Sequence, residues 1–222
     1  SRPLLIHFWF PSQEKIEGHA LNFKHYIDLI AQREDYNRST EEINNQSFWY
    51  VKAYSDHAKS NFGLDTSLHA QSLLDSPVYA KSGLPMRKNK AEFPLLIYAP
   101  SNGKASVQSH MLFEYLASHG FMILSVASAG PTSIHRESID ESTMAQVRDM
   151  EYILKYCEDS LDIKYTKLGL FGFSSGGNAS AIFQMKNEGV DAILSLDGGQ
   201  EFSAYMTLYH MQEFDLDKMN TS

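Results

Sequence analysis

The 222 residues include 19 basic and 27 acidic side chains, a net charge of −8, and 43% of them are hydrophobic, which excludes a disordered, collagen-like or coiled-coil chain. The acidic balance, unbroken by any basic cluster, repels phosphate backbones and anionic lipid surfaces, so nucleic acid is not an expected partner. No apolar run reaches the ~18 residues that read as an integral membrane segment, and the single cysteine, Cys157, can form neither an internal disulfide nor a metal cluster.

In chain order, residues 4–10 form a short apolar and aromatic run stopped by Pro11, which predicts a buried strand among the first of a sheet. Residues 12–90 read as a helical insertion within a single domain spanning 1–222. Phe23, Tyr26, Ile27 and Ile30 fall on one helical face, and Phe48, Val51 and Tyr54 recur at helical spacing. The aromatic residues of this insertion, with Trp49 and Tyr50, suit either a core stripe or a lid over an acyl pocket.

After the charged turn at 87–90 the pattern changes to strands alternating with helices. Residues 93–99 (FPLLIYA) predict a strand ended by the turn cluster Pro100-Ser101-Asn102-Gly103. A helix over 107–118 follows, with Met111, Leu112, Tyr115 and Leu116 on one face and Gly120 as its stop. Next come a strand (121–127), a loop with Gly130-Pro131, and a helix (140–159) whose apolar face is marked by Met144, Val147, Met150 and Leu154. A strand (167–171), a helix (175–186) and a strand (192–196) complete the series, and a further helix is expected over 202–214. Apolar runs alternating with amphipathic helices predict an α/β fold, because right-handed crossovers place helices on both faces of a parallel sheet.

At Gly172-Phe173-Ser174-Ser175-Gly176-Gly177 the chain passes from strand directly into helix, a G-x-S-x-G pattern. The turn would force the Ser174 backbone into a strained conformation that lifts its hydroxyl above the sheet, and side chains at Gly172 or Gly176 would crowd the neighbouring backbone. The Ser175 N–H then lies at the positive end of the helix dipole, placed to donate to an oxyanion. The bland alternative is a tight turn that happens to contain serines. Phosphate binding is the other use of such a turn, but neither G-x-x-x-x-G-K-[ST] nor G-x-G-x-x-G is present.

FPLLIYAPSNG (93–103), EYLASHGF (114–121), GLFGFSSGGNAS (169–180) and AILSLDGG (192–199) together resemble the α/β-hydrolases, and within them the platelet-activating-factor acetylhydrolase-like and dienelactone-hydrolase-like esterases. The third segment is the most specific. The resemblance implies an α/β-hydrolase fold in which Asp197, at the tip of the strand after the elbow helix, is the triad acid. An Asx-turn with Gly198-Gly199 is the structural alternative. It also implies that the turn at Ser101 and Asn102 supplies the second oxyanion N–H, assigned to Asn102. The family often has His-Gly where Pro100-Ser101 stands here, which leaves open which N–H points inward.

In this fold the chain order is serine, acid, histidine. Only His210 follows Asp197, too soon for the strands and loop that normally carry the base, while His135 lies in the loop after an internal strand. The expectation is therefore that the base lies beyond Ser222, that the sheet is incomplete at its C-terminal end, and that 214–219 resemble the lead-in to another strand. A start at Ser1-Arg2-Pro3 without Met agrees with a piece of a longer protein.

The function implied is a serine-dependent carboxylic ester hydrolase acting through an acyl-enzyme on small or short-acyl esters, with no metal and no cofactor. The alternative from another class is a non-catalytic binding or scaffold protein of the same fold. Carbohydrate-ester or peptide processing would differ in substrate alone. The 222-residue chain is expected to show little turnover without the missing histidine. Nothing in the residues speaks to oligomeric state, and the resemblance alone points to a bacterial periplasmic or secreted protein.

Overall fold

The computed structural model describes residues 4–12, 17–32, 37–65, 69–86, 93–101, 104–127, 139–198 and 214–219. In chain order its elements are β1 (Ile6–Trp9), β2 (His19–Asn22), α1 (Phe23–Gln32), α2 (Thr40–Phe62), α3 (Ala70–Leu74) and β3 (Pro77–Ser82). Then follow β4 (Leu95–Ala99), α4 (His110–Ser118), β5 (Met122–Val126), α5 (Ile139–Asp159), β6 (Leu168–Phe173), α6 (Ser175–Lys186), β7 (Ala192–Leu196) and a 3-10 turn (Leu216–Lys218). Contacts divide the chain into two compact units, Ser1–Ser12 with Met86–Ser222, and Gln13–Pro85.

The larger unit is built on a five-stranded sheet of order β1-β5-β4-β6-β7. β4, β5, β6 and β7 run parallel, and β1 closes one edge antiparallel to β5. Because successive strand residues alternate faces, Leu95 and Ile97, Met122 and Leu124, and Leu168 and Leu170 share one face. There they pack with Val147, Met150, Ile153 and Cys157 of α5 and Ala179, Ile182 and Phe183 of α6. Tyr98 and Phe171 turn to the opposite face and meet Phe113 of α4 at ring separations of 4.9 and 5.8 Å. Helices thus cover both faces, as the alternating pattern requires.

One expectation for this unit differs. α4 begins at His110, and its buried stripe is Phe113, Glu114 and Ala117, while Met111 is 73% and Tyr115 60% exposed. The helix is rotated relative to the Met111-Leu112-Tyr115-Leu116 reading because Phe113 wedges between Trp9 (4.8 Å) and Tyr98 (4.9 Å). Within residues 214–219 a 3-10 turn spans Leu216–Lys218, and Asp215 N–H is directed to Met185 Sδ at 3.3 Å. The helix expected over 202–214 lies almost wholly outside the described residues. At the β7 edge, on the face opposite α5 and α6, Leu194 is 55% exposed beside the exposed Phe173 and Leu196.

The smaller unit packs α1, α2 and α3 around Ile27, Val51, Ala70 and Leu74. It also contains a two-stranded antiparallel sheet, β2 with β3, which the helical reading of 12–90 did not include. α2 is fixed at both ends, by a Ser39–Glu42 capping box and by Gly63 at φ 69°. Its buried stripe is Ser47, Val51 and Ser55, with Ser47 Oγ donating to Asp28 Oδ1 at 2.7 Å, so Phe48 and Tyr54 face outward. Among the described residues no helix is long and apolar enough to cross a membrane.

Candidate active site

Four parallel strands direct their C-terminal ends to one edge of the sheet, where loops can gather side chains without interrupting the ladder. β6 ends there at Phe173 and α6 begins at Ser175, so Ser174 alone makes the turn. Its backbone has φ 54° and ψ −123°, a conformation that costs a side-chain-bearing residue about 1–3 kcal/mol. Two hydrogen bonds hold it: Ser174 N–H donates to Leu196 O at 2.8 Å, and Ser174 O accepts from Gly177 N–H at 2.9 Å.

The glycines around Ser174 are required by contact. A Cβ on Gly172 would lie 2.2 Å from the backbone of Gly176, and one on Gly176 would lie 1.9 Å from Ala99 O. The start of α6 is therefore pressed against both β6 and the end of β4, with no room for a methyl group at either place.

Ser175 is the first residue of α6, where the helix dipole directs its positive end. Asp197 follows β7 immediately, is exposed, and has φ 53°. The Ser174–Leu196 hydrogen bond sets Ser174 level with Asp197 on the adjacent strand. Asn102, His135 and His210 lie outside the described residues.

No hydrogen bond joins a histidine to Ser174 among the described residues. A histidine does meet a serine elsewhere. His7 Nδ1 and Ser106 Oγ are 2.7 Å apart, and Ser106 O accepts from Ser125 Oγ at 2.9 Å. Both partners are buried, and burial drives the His7 pKa down to about 4. A nucleophile must be reachable by substrate, so this pair ties β1 and β5 to the segment before α4 and is not a catalytic dyad. His7 Nε2 has no hydrogen-bond partner among the described residues.

One polar contact at the sheet edge had no counterpart in the sequence reading. Gln146, buried in α5, donates from Nε2 to Pro100 O at 2.9 Å, where the chain leaves β4. The signal available was a glutamine within an otherwise apolar helical stripe. Among the described residues no group of three His, Cys, Asp or Glu side chains could hold a metal ion.

No protein-family model matches the sequence, and no curated protein matches it. Among solved structures, the chain is similar to a ferulic acid esterase from Streptomyces cinnamoneus, with a TM-score of 0.55 and 17% identity over 86% of this chain and 50% of that one. A serine hydrolase homologue from Coxiella burnetii matches with a TM-score of 0.39 and 17% identity over 56% of this chain and 60% of that one. Brefeldin A esterase, a bacterial homologue of human hormone-sensitive lipase, matches with a TM-score of 0.40 and 12% identity over 58% and 39%. The chain spans half the length of the ferulic acid esterase. With four parallel strands, an antiparallel edge strand, a serine at a strained strand-to-helix turn, and the first of these likenesses, the chain has the α/β-hydrolase fold.

Proposed function

We propose that this chain carries the nucleophile half of a serine-dependent carboxylic ester hydrolase acting on small or short-acyl esters, in the manner of the acetylhydrolase-like esterases. The observation that carries the reading is the backbone of Ser174, at φ 54° and ψ −123° between a strand and a helix that close packing at Gly172 and Gly176 holds in place. Strain of this kind persists only where surrounding structure over-determines it, and it concentrates at reacting groups.

In the proposed reaction Ser174 Oγ attacks the ester carbonyl while a histidine takes its proton. Negative charge develops on the carbonyl oxygen and is held by the N–H groups of Ser175 and Asn102. The histidine returns the proton to the departing alcohol, and water then releases the acid by the reverse sequence. Asp197 orients the histidine. The base in this reading is a histidine outside the described residues.

A non-catalytic binding protein of the same fold is the second reading, favoured by the lack of any histidine hydrogen-bonded to Ser174 among the described residues. Hydrolysis of p-nitrophenyl acetate and butyrate by the full-length natural protein separates the two. The esterase reading expects turnover that falls at least ~1,000-fold in Ser174→Ala, and the binding reading expects none in either protein.

A further inference from the structure

We infer that β1 is an acid-released latch: protonation of His7 frees this edge strand from β5 while β4, β5, β6 and β7 stay folded together. The inference is independent of the chemistry at Ser174.

β1 is four residues long, lies at the edge of its sheet and, among the described residues, pairs with β5 alone. A short edge strand opens more readily than the strands behind it, because their ladder stays closed when it leaves. Alternate residues of β1 face opposite sides, so His7 and Trp9 enter the α4 face, whereas Ile6 and Phe8 are half-buried on the other. Trp9 packs on Phe113 at 4.8 Å and stacks on the His7 ring at 5.9 Å. His7 Nδ1 meets Ser106 Oγ at 2.7 Å, and Ser125, the cross-strand partner of His7, donates from Oγ to Ser106 O at 2.9 Å. His7 is thus the polar fastening between β1, β5 and the segment before α4.

That fastening suits a neutral ring. Neutral imidazole carries one N–H, and the contact with Ser106 Oγ serves Nδ1 in either tautomer. Imidazolium carries two. Ser106 Oγ can accept from Nδ1, but Nε2 is buried with no partner among the described residues, so the added proton would leave a charged donor without acceptor or water. No neighbouring charge offsets this. β5 has no titratable side chain, and Lys104 on the segment before α4 is exposed. On α4, Glu114 lies beside His110 and partly offsets the fall that burial imposes on that histidine, while His119 beyond the helix end is exposed. For His7, burial is the cause of the fall to about 4.

Lifting β1 gives Nε2 access to water. It gives up the Trp9–Phe113 contact and, from the core beneath α5 and α6, residues at the margin: Leu4, Ile6, Phe8 and Phe10. The strands that build the centre of that core, β4, β5 and β6, keep their pairing. The open form binds its proton at the ordinary histidine pKa of 6.5 and the closed form at about 4, so opening is favoured as pH falls between those values.

Hydrogen exchange on the full-length natural protein, read by mass spectrometry and corrected for the intrinsic pH dependence of exchange, gives opening constants for the amides of β1, β4 and β6. At pH 5, β1 is expected to open at least about 10-fold more often than β4 and β6. Its opening constant is expected to rise about 30-fold from pH 7.5 to pH 5, the ratio set by the two His7 pKa values. In His7→Asn, which keeps a hydrogen-bonding partner for Ser106 and does not titrate, the rise should shrink to less than about three-fold. His110 keeps its own titration in that variant, so the comparison separates the two histidines.

Equal opening constants for β1, β4 and β6 at pH 5 overturn the inference, because β1 then leaves only when the whole sheet unfolds. A rise that persists in His7→Asn overturns it as well, since another group then drives the opening. Should His7→Asn fail to fold, the wild-type comparison of β1 with β4 and β6 decides.

Discussion

Ser174 donates its backbone N–H to the carbonyl of Leu196 at 2.8 Å, one bond beyond the regular pairing of β6 with β7. That bond carries the ladder past the end of both strands and sets the elbow serine beside Asp197. Ser174 and Asp197 both adopt left-handed φ, 54° and 53°, although neither is glycine. Two adjacent strand tips thus both carry positive φ, the more costly being Ser174, whose ψ of −123° lies outside the left-handed helical region that Asp tolerates.

The strain at Ser174 has a measurable consequence for stability. Ser174→Gly removes the side chain that makes φ 54° costly, whereas Ser174→Ala keeps a Cβ there. The glycine variant is expected to be more stable than the alanine variant by about 1 kcal/mol, after the entropy glycine loses on folding is deducted. Urea denaturation of both variants checks this, and equal midpoints would show that the elbow stores no strain.

Close packing at the elbow gives a second expectation. Gly176→Ala places a methyl 1.9 Å from Ala99 O, so backbone must move, at the upper end of overpacking costs, about 3 kcal/mol or more. Gly189, by contrast, has nothing within 4 Å of its Cβ position. Gly189→Ala is expected to stay within about 0.5 kcal/mol of wild type. Thermal melts of the two variants test the contrast.

His7 makes stability depend on pH. Its ordinary pKa of 6.5 falls to about 4 in the folded chain through burial, so between those values the unfolded state binds more protons. Stability is therefore full above pH 6.5 and falls as pH is lowered toward 4, by on the order of 3 kcal/mol from this group. His7→Asn, which keeps a hydrogen-bonding partner for Ser106, should flatten the difference in urea midpoint between pH 7 and pH 4.5. An unchanged slope would assign the pH dependence to other groups.

Cys157 is a buried thiol whose pKa burial pushes up to about 11, with Glu158 adding a smaller push. It is expected to be unreactive toward a disulfide reagent at pH 8 in the native protein and to react stoichiometrically in denaturant. Rapid labelling of native protein would contradict its place in the core.

Where local pattern decided the outcome, the residues were easy to read. The strand at 192–196 and the helix at 175–186 stand where periodicity puts them, and the elbow glycines had a steric reason that the contacts at Gly172 and Gly176 make explicit. The α4 helix was misread because two apolar stripes compete on it, and only the distant ring partners Trp9 and Tyr98 select Phe113. β2 and β3 were missed because they are short, largely exposed and without apolar alternation. The His7–Ser106 contact spans 99 positions, and Gln146 meets Pro100 across 46. No local pattern encodes contacts at such separations.

The proposed chemistry requires Ser174 to be a nucleophile. A fluorophosphonate probe applied to the full-length natural protein, followed by peptide mass spectrometry, tests this most directly. The expected result is a single adduct on the peptide containing Ser174, abolished by Ser174→Ala and by prior denaturation. No adduct, or an adduct that persists in Ser174→Ala, would contradict the account.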